Sequence, residues 1–111
     1  MLAFGFVLLL PASPAWSQAY PTRTITIIVP FPAGGSADTL ARLIGAQLTE
    51  KLKQPIVVDN KPGAGGNLGT DAVAKAAPDG YTLLLTPSSI AITPHLYGHL
   101  TYDPILSLIH I

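Results

Sequence analysis

Two stretches combine residue types that can hold an anion without a charged side chain. Val29 to Ile44 reads VPFPAGGSADTLARLI, and Asp59 to Ala74 reads DNKPGAGGNLGTDAVA. In each, proline and glycine separate an apolar run from an amphipathic pattern. Glycine removes the Cβ that would block close approach and allows positive φ. Pro30, Pro32 and Pro62 stiffen the segments, so less entropy is lost on binding. A helix that follows such a segment presents unpaired N–H groups and the positive end of its dipole. Glycine turns flanked by donors but carrying no lysine or arginine suit a small carboxylate or compact anion better than a polyanion. Tight turns use the same residues without any ligand. The recurrence of Ala33-Gly34-Gly35 as Ala64-Gly65-Gly66 favours binding over that plainer reading.

Other chemistries fit less well. GAGGNLG, Gly63 to Gly69, approaches a dinucleotide fingerprint, but the third glycine would have to stand at Leu68, and no G-K-[ST] phosphate loop is present. Ser88 and Ser89 in TPSSIAITP are outside any G-x-S-x-G context and read as hydrogen-bonding residues of a third loop. His95 and His99 are spaced i, i+4, yet Pro94 and Gly98 sit beside them and no glutamate lies between, so surface histidines are expected rather than a metal site. The chain has no cysteine, which removes disulfides and thiolate chemistry. Its six basic residues are scattered among six acidic ones, leaving no stripe for nucleic acid.

The elements that must position these loops follow from periodicity. Thr24 to Pro30 is a β-branched run apolar on both faces, as a central strand of a parallel sheet would be. Leu40, Leu43, Ile44, Leu48 and Leu52 form a helical stripe from near Ser36 to before Pro55. Ser36 is the expected N-cap, and Asp38 suits the positive helix end while pairing at i+4 with Arg42. A second unit repeats the order: strand Pro55 to Asp59, then a helix from about Asn67 to Ala77 with Leu68, Ala72, Val73 and Ala76 inward. After the turn at Pro78-Asp79-Gly80 comes a third strand, Tyr81 to Thr86. The order β-α-β-α-β with right-handed crossovers gives an α/β parallel lobe. Both glycine turns then fall at one sheet edge.

With 111 residues, the chain can hold one domain or part of one. Leu2 to Leu10 is apolar but too short to span a bilayer, and Ser17-Gln18-Ala19 is a small-x-small cleavage site. Residues 1–19 are thus expected to be a secretory signal peptide, although no lysine or arginine precedes the apolar stretch. Periplasmic export is the corresponding expectation. The last six residues, Leu106 to Ile111, read LSLIHI. The codons CTG TCT CTT ATA CAC ATC, a transposase end used in sequencing libraries, would encode them, so this tail is expected to be non-native.

YPTRTITIIVPFPAGGSADTLAR, QPIVVDNKPGAGGNLGTDAVAKAAPDGYTLL and ITPHLYGHLTYDP together closely resemble the N-terminal lobe of Bug-type receptors, the periplasmic solute-binding proteins of tripartite tricarboxylate transporters. The likeness runs from Tyr20 to about Ile105. It implies a two-lobed, hinge-closing binding protein of the type II, Venus flytrap kind, with residues 20–105 from its first lobe and the second lobe missing. It also implies a small carboxylate ligand held by backbone N–H groups and ordered waters at the first two glycine loops, a membrane permease as partner, no cofactor and no enzymatic activity. Carried onto this chain, the ligand-binding residues are Phe31, Pro32, Ala33, Gly34, Gly35 and Ser36 in the first loop and Ala64, Gly65, Gly66 and Asn67 in the second. Thr86, Ser88 and Ser89 of the third would face the variable end of the ligand. Asp38 is read as helix-start structure, since an ionised Asp facing a carboxylate would repel it. Two other readings stand beside this one. They are a doubly wound α/β enzyme binding a phosphate or nucleotide at the same loops, and a non-functional truncated gene product.

Overall fold

The structure, a computed structural model, describes residue 17 and residues 19–108; most of the expected signal peptide and the end of the expected tail lie outside them. Three parallel strands, β1 (Ile25–Val29), β2 (Ile56–Asn60) and β3 (Thr82–Leu84), form one sheet in the order β2-β1-β3. Ile25 pairs with Ile56 and Val29 with Asn60 on one side, and Thr26 pairs with Thr82 and Ile28 with Leu84 on the other. The run apolar on both faces is therefore central, with Ile25, Ile27, Ile28 and Val29 all buried. A strand covered on both faces loses both sets of side chains from water, which is why it reads as continuous rather than alternating.

Helix α1 (Ser36–Leu52) connects β1 to β2, and α2 (Asn67–Ala74) connects β2 to β3. The order reverses about β1, so right-handed crossovers place the two helices on opposite faces. Packing agrees: Ala41 of α1 joins Ile27 and Val29 in the core, whereas Gly69 of α2 lies against Pro30. Beyond β3 follow a 3-10 turn (Ser88–Ala91) and a short helix α3 (Thr93–Leu96).

The helices turn different faces to the sheet than their leucines suggest. On α1 the buried residues are Asp38, Ala41 and Gly45, while Leu40, Leu43 and Ile44 are exposed. A Cβ on Gly45 would come 3.3 Å from Ile56, so small residues let the helix axis approach the β-branched sheet. On α2, Leu68 is exposed and folds over Gly63, contrary to its expected inward position; Gly69 and Thr70 are buried instead. The helix also ends at Ala74 rather than Ala77.

Ser36 is the first helical residue and not the N-cap; Gly35 holds that position with no side-chain cap. The far end of α1 closes on Lys53 in the left-handed region, whose N–H donates to the Thr49 carbonyl at 3.0 Å. At the amino edge of the sheet, Gly80 (φ +80°) makes the expected turn, and Arg23 joins Asp79 at 2.8 Å while stacking 3.8 Å over the Tyr81 ring. These contacts fix where β3 begins and leave its carboxyl end beside that of β1.

Candidate functional site

Parallel strands end together, so the loops after β1, β2 and β3 rise from one edge. Reversal of strand order about β1 opens a crevice outside the carboxyl ends at that place. The first loop runs from Pro30 to Gly35. Gly34 has φ +89°, a conformation costly for a residue with a Cβ, and Gly35 enters the helix with φ −78°. Pro32, Ala33, Gly34, Gly35 and Ser36 are exposed and Phe31 is half-buried.

A polar network sits behind this loop. Asp38 is 4% exposed, and its Oδ2 accepts from the Gly34 N–H at 2.9 Å and from Arg42 Nε at 3.1 Å. Its Oδ1 accepts from Asn60 Nδ2 at 3.1 Å and forms an ion pair with Arg42 Nη2 at the same distance. Asn60 donates its second amide hydrogen to the Phe31 carbonyl at 3.1 Å and accepts from Arg42 Nη2 at 3.3 Å. The Arg42 guanidinium, followed by the Gly34 N–H, holds the Asp38 carboxyl down to about 2. Asp38 is therefore a buried anion, fully paired, and the reading of it as helix-start structure holds. It reaches one residue beyond the N-cap, as the N3 carboxylate of a capping box reaches the N-cap itself.

The second loop is built from successive positive φ values: Gly63 +137°, Ala64 +49°, Gly65 +65° and Gly66 +96°. It forms a 3-10 turn (Ala64–Gly66) in which Gly66 N–H donates to the Gly63 carbonyl at 3.0 Å and the Asn67 N–H to that of Ala64. Phe31 of the first loop rests against Gly66, where a Cβ would meet its ring at 3.3 Å. Gly65 lies under the Tyr97 hydroxyl, 2.5 Å from where a Cβ would stand. Glycine at 65 and 66 thus answers two demands at once, backbone sign and space.

Gly65, Gly66, Asn67, Thr86 and Ser89 come together, lining a cavity of about 10 Å³ with Thr70, Ile90 and Thr93. Ser88 is exposed and outside that lining. The first-loop residues join the group through Phe31 and Gly66. Three backbone donors within the expected set already have partners, those of Gly34, Gly66 and Asn67. The Asn67 side chain accepts from Tyr102 at 2.9 Å, and burial pushes that phenol up. Residues missed from sequence are Asn60, Thr70, Thr93 and Tyr97. Asn60 carried one usable signal: it directly follows the strand expected at Pro55 to Asp59, at the edge where the glycine loops rise.

α3 ends at Leu96, so His95 and His99 share no helical face. Among the described residues, no three His, Cys, Asp or Glu side chains cluster as a metal ion would need. The arrangement offers backbone donors, hydroxyls and amides around a rim with Gly turns, suited to binding an anion by hydrogen bonds.

Known proteins share this sequence and fold. The model of the tripartite tricarboxylate transporter family receptor matches residues 40–111. Protein BugT of Bordetella pertussis is 56% identical over 78 residues, covering 70% of this chain and 24% of that protein. The solved structure of periplasmic binding protein BugD superposes with TM-score 0.76 at 43% identity, over 79% of this chain and 29% of its own. Rpa4515 of R. palustris, solved with adipate, gives TM-score 0.73 at 45% identity, over 78% of this chain and 29% of its own. The chain thus spans about a quarter to three-tenths of the length of these relatives.

Proposed function

Because the chain belongs to the tripartite tricarboxylate transporter receptor family, we propose that it supplies the first-lobe half of a site that captures a small carboxylate in the periplasm and delivers it to a membrane permease. The sheet and its helices match part of a periplasmic binding protein fold, consistent with one lobe. The observation that carries the proposal is the convergence of three loops at the carboxyl edge of β1, β2 and β3, two of them with glycines at positive φ. In this reading the ligand carboxylate lies against backbone N–H groups of the first two loops and of the α1 N-terminus. Gly34, Gly66 and Asn67 shape the rim, since their own N–H groups have partners. The hydroxyls of Thr86, Ser88 and Ser89 face the far end of the ligand.

A relative solved with adipate supports a dicarboxylate as the first ligand to try. The reading is of binding without chemistry, and of a partner that is a permease rather than a nucleic acid. A zero formal net charge agrees with the latter. The test is a thermal-shift and calorimetric screen of the product of the complete natural gene against adipate, other dicarboxylates, benzoate, ATP and NAD. A ligand at 100 times its Kd adds about 2.7 kcal/mol of stability. Stabilisation by carboxylates is the expected result. Stabilisation by nucleotides alone would replace this reading with that of a doubly wound enzyme.

A further inference from the structure

The first glycine loop has to present donors to an anion, yet two electron-rich groups lie within it or directly behind it. One is the Phe31 carbonyl, which points at Asn60 Nδ2 at 3.1 Å. The other is the Asp38 carboxylate, which accepts from the Gly34 N–H at 2.9 Å, Asn60 Nδ2 at 3.1 Å and Arg42 Nε at 3.1 Å, with Arg42 Nη2 paired ionically beside it. Turned outward, either would repel a ligand carboxylate at short range, where partial burial strengthens the effect. Both are instead turned inward and joined through a single side chain. Asn60 has two amide hydrogens and one carbonyl oxygen, and all three are engaged here.

We propose that Asp38 and Asn60 are positioning residues of the anion site: together they hold Gly34 in its left-handed conformation, draw the Phe31 carbonyl away from the cleft, and so fix the rim as a surface of donors. This rests on the carboxylate-receptor reading above. The brace also couples the loops. Asn60 ends β2 and leads into the second loop, the Lys61 N–H donates to the Val29 carbonyl at 2.8 Å, and the Phe31 ring rests on Gly66. One asparagine thereby sets the spacing of the two glycine turns. Arg42, half-exposed, matches the Asp38 charge with two contacts and keeps it from opposing the ligand.

The experiment compares wild type with Asp38→Asn and Asn60→Ala in the product of the complete natural gene, with adipate as the probe. Kd is measured well below each Tm, so that only folded protein is titrated, and exchange of the Gly34 amide hydrogen is followed by NMR. The brace predicts about tenfold or greater weakening of Kd in both variants, the scale of one charge-assisted hydrogen bond, with faster Gly34 exchange. A fall in Tm with Kd within twofold of wild type in both variants would show a purely structural role and overturn the proposal. If Asp38→Asn does not fold, Asn60→Ala decides by the same criterion, because it keeps the Asp38 bonds to Gly34 and Arg42. Failure of wild type to bind any carboxylate would overturn the receptor reading instead. The brace is then judged on Gly34 exchange alone, and unchanged exchange in both variants rejects it.

Discussion

Gly69 of α2 lies against Pro30 at the end of β1 so closely that a Cβ there would stand 2.8 Å from Pro30 Cβ and 2.8 Å from the Lys61 carbonyl oxygen. Both neighbours are backbone or ring atoms with no freedom to withdraw. Gly69→Ala is expected to cost about 1–3 kcal/mol, the usual range for overpacking. Because Pro30 and Lys61 open the two glycine loops, the same change should weaken carboxylate binding. Chemical denaturation with and without adipate measures both; an unchanged midpoint would mean that α2 is not held this close.

Gly35 and Gly66 are both glycine in the loops but differ in what replacement should do. Gly35 has negative φ, and a Cβ there would meet only the Pro32 carbonyl at 3.6 Å, so Gly35→Val should keep the fold. Its side chain would occupy the rim, and Kd should weaken by tenfold or more. Gly66→Ala meets positive φ and the Phe31 ring, so it should lose about 1–2 kcal/mol of stability as well. Equal Tm losses for the two variants would contradict this assignment.

Acid should act on Asp38 in a stated direction. Its carboxyl is held down to about 2, below the roughly 3.9 of an unfolded chain. On acidification the unfolded state takes the proton first, so the stability Asp38 contributes is complete above about pH 4 and is lost as pH falls through about 2. The stability gap between wild type and Asp38→Asn should therefore be level from pH 7 to 5 and shrink towards pH 2. Urea midpoints across that range test it, and a gap that instead widens on acidification would refute the sign.

Ala41 and Ala46 are both alanines of α1, but only Ala41 is buried, in contact with the core of Ile27 and Val29. Ala41→Leu should cost about 1–3 kcal/mol by pushing the helix off the sheet, whereas Ala46→Leu should stay within about 0.5 kcal/mol of wild type. Equal midpoints for the two would mean that the leucine stripe, and not Ala41, faces the strands.

What the sequence made legible is the frame. The β-branched run from Ile25 to Val29 read as a covered strand, and proline and glycine marked both loops, so the parallel order and the shared edge followed. Helix orientation was harder to read. Leu40, Leu43 and Ile44 mark an apolar face, but periodicity does not say which element covers it, and Ala41 with Gly45 took the sheet because they permit closer approach. Leu68 failed for the same reason, displaced by Gly69. Asn60 looked like an ordinary residue after a strand, and Tyr97 had no pattern tying it to Gly65. Such partners are brought together only by the tertiary fold.

The central place of β1 bears on how the molecule assembles. As the chain emerges from its amino end, Ile25 to Val29 appear before either neighbour exists: Ile25 waits for Ile56, and Ile28 waits for Leu84. During that interval a five-residue strand of nearly continuous apolar side chains has both hydrogen-bonding edges vacant, and pairings so distant along the sequence form slowly. The same segment that becomes the best-protected part of the sheet is thus the most hazardous during synthesis, open to pairing with another copy. Conditions that slow the arrival of β3, or crowd nascent copies together, should divert yield into aggregates without altering the finished fold at all.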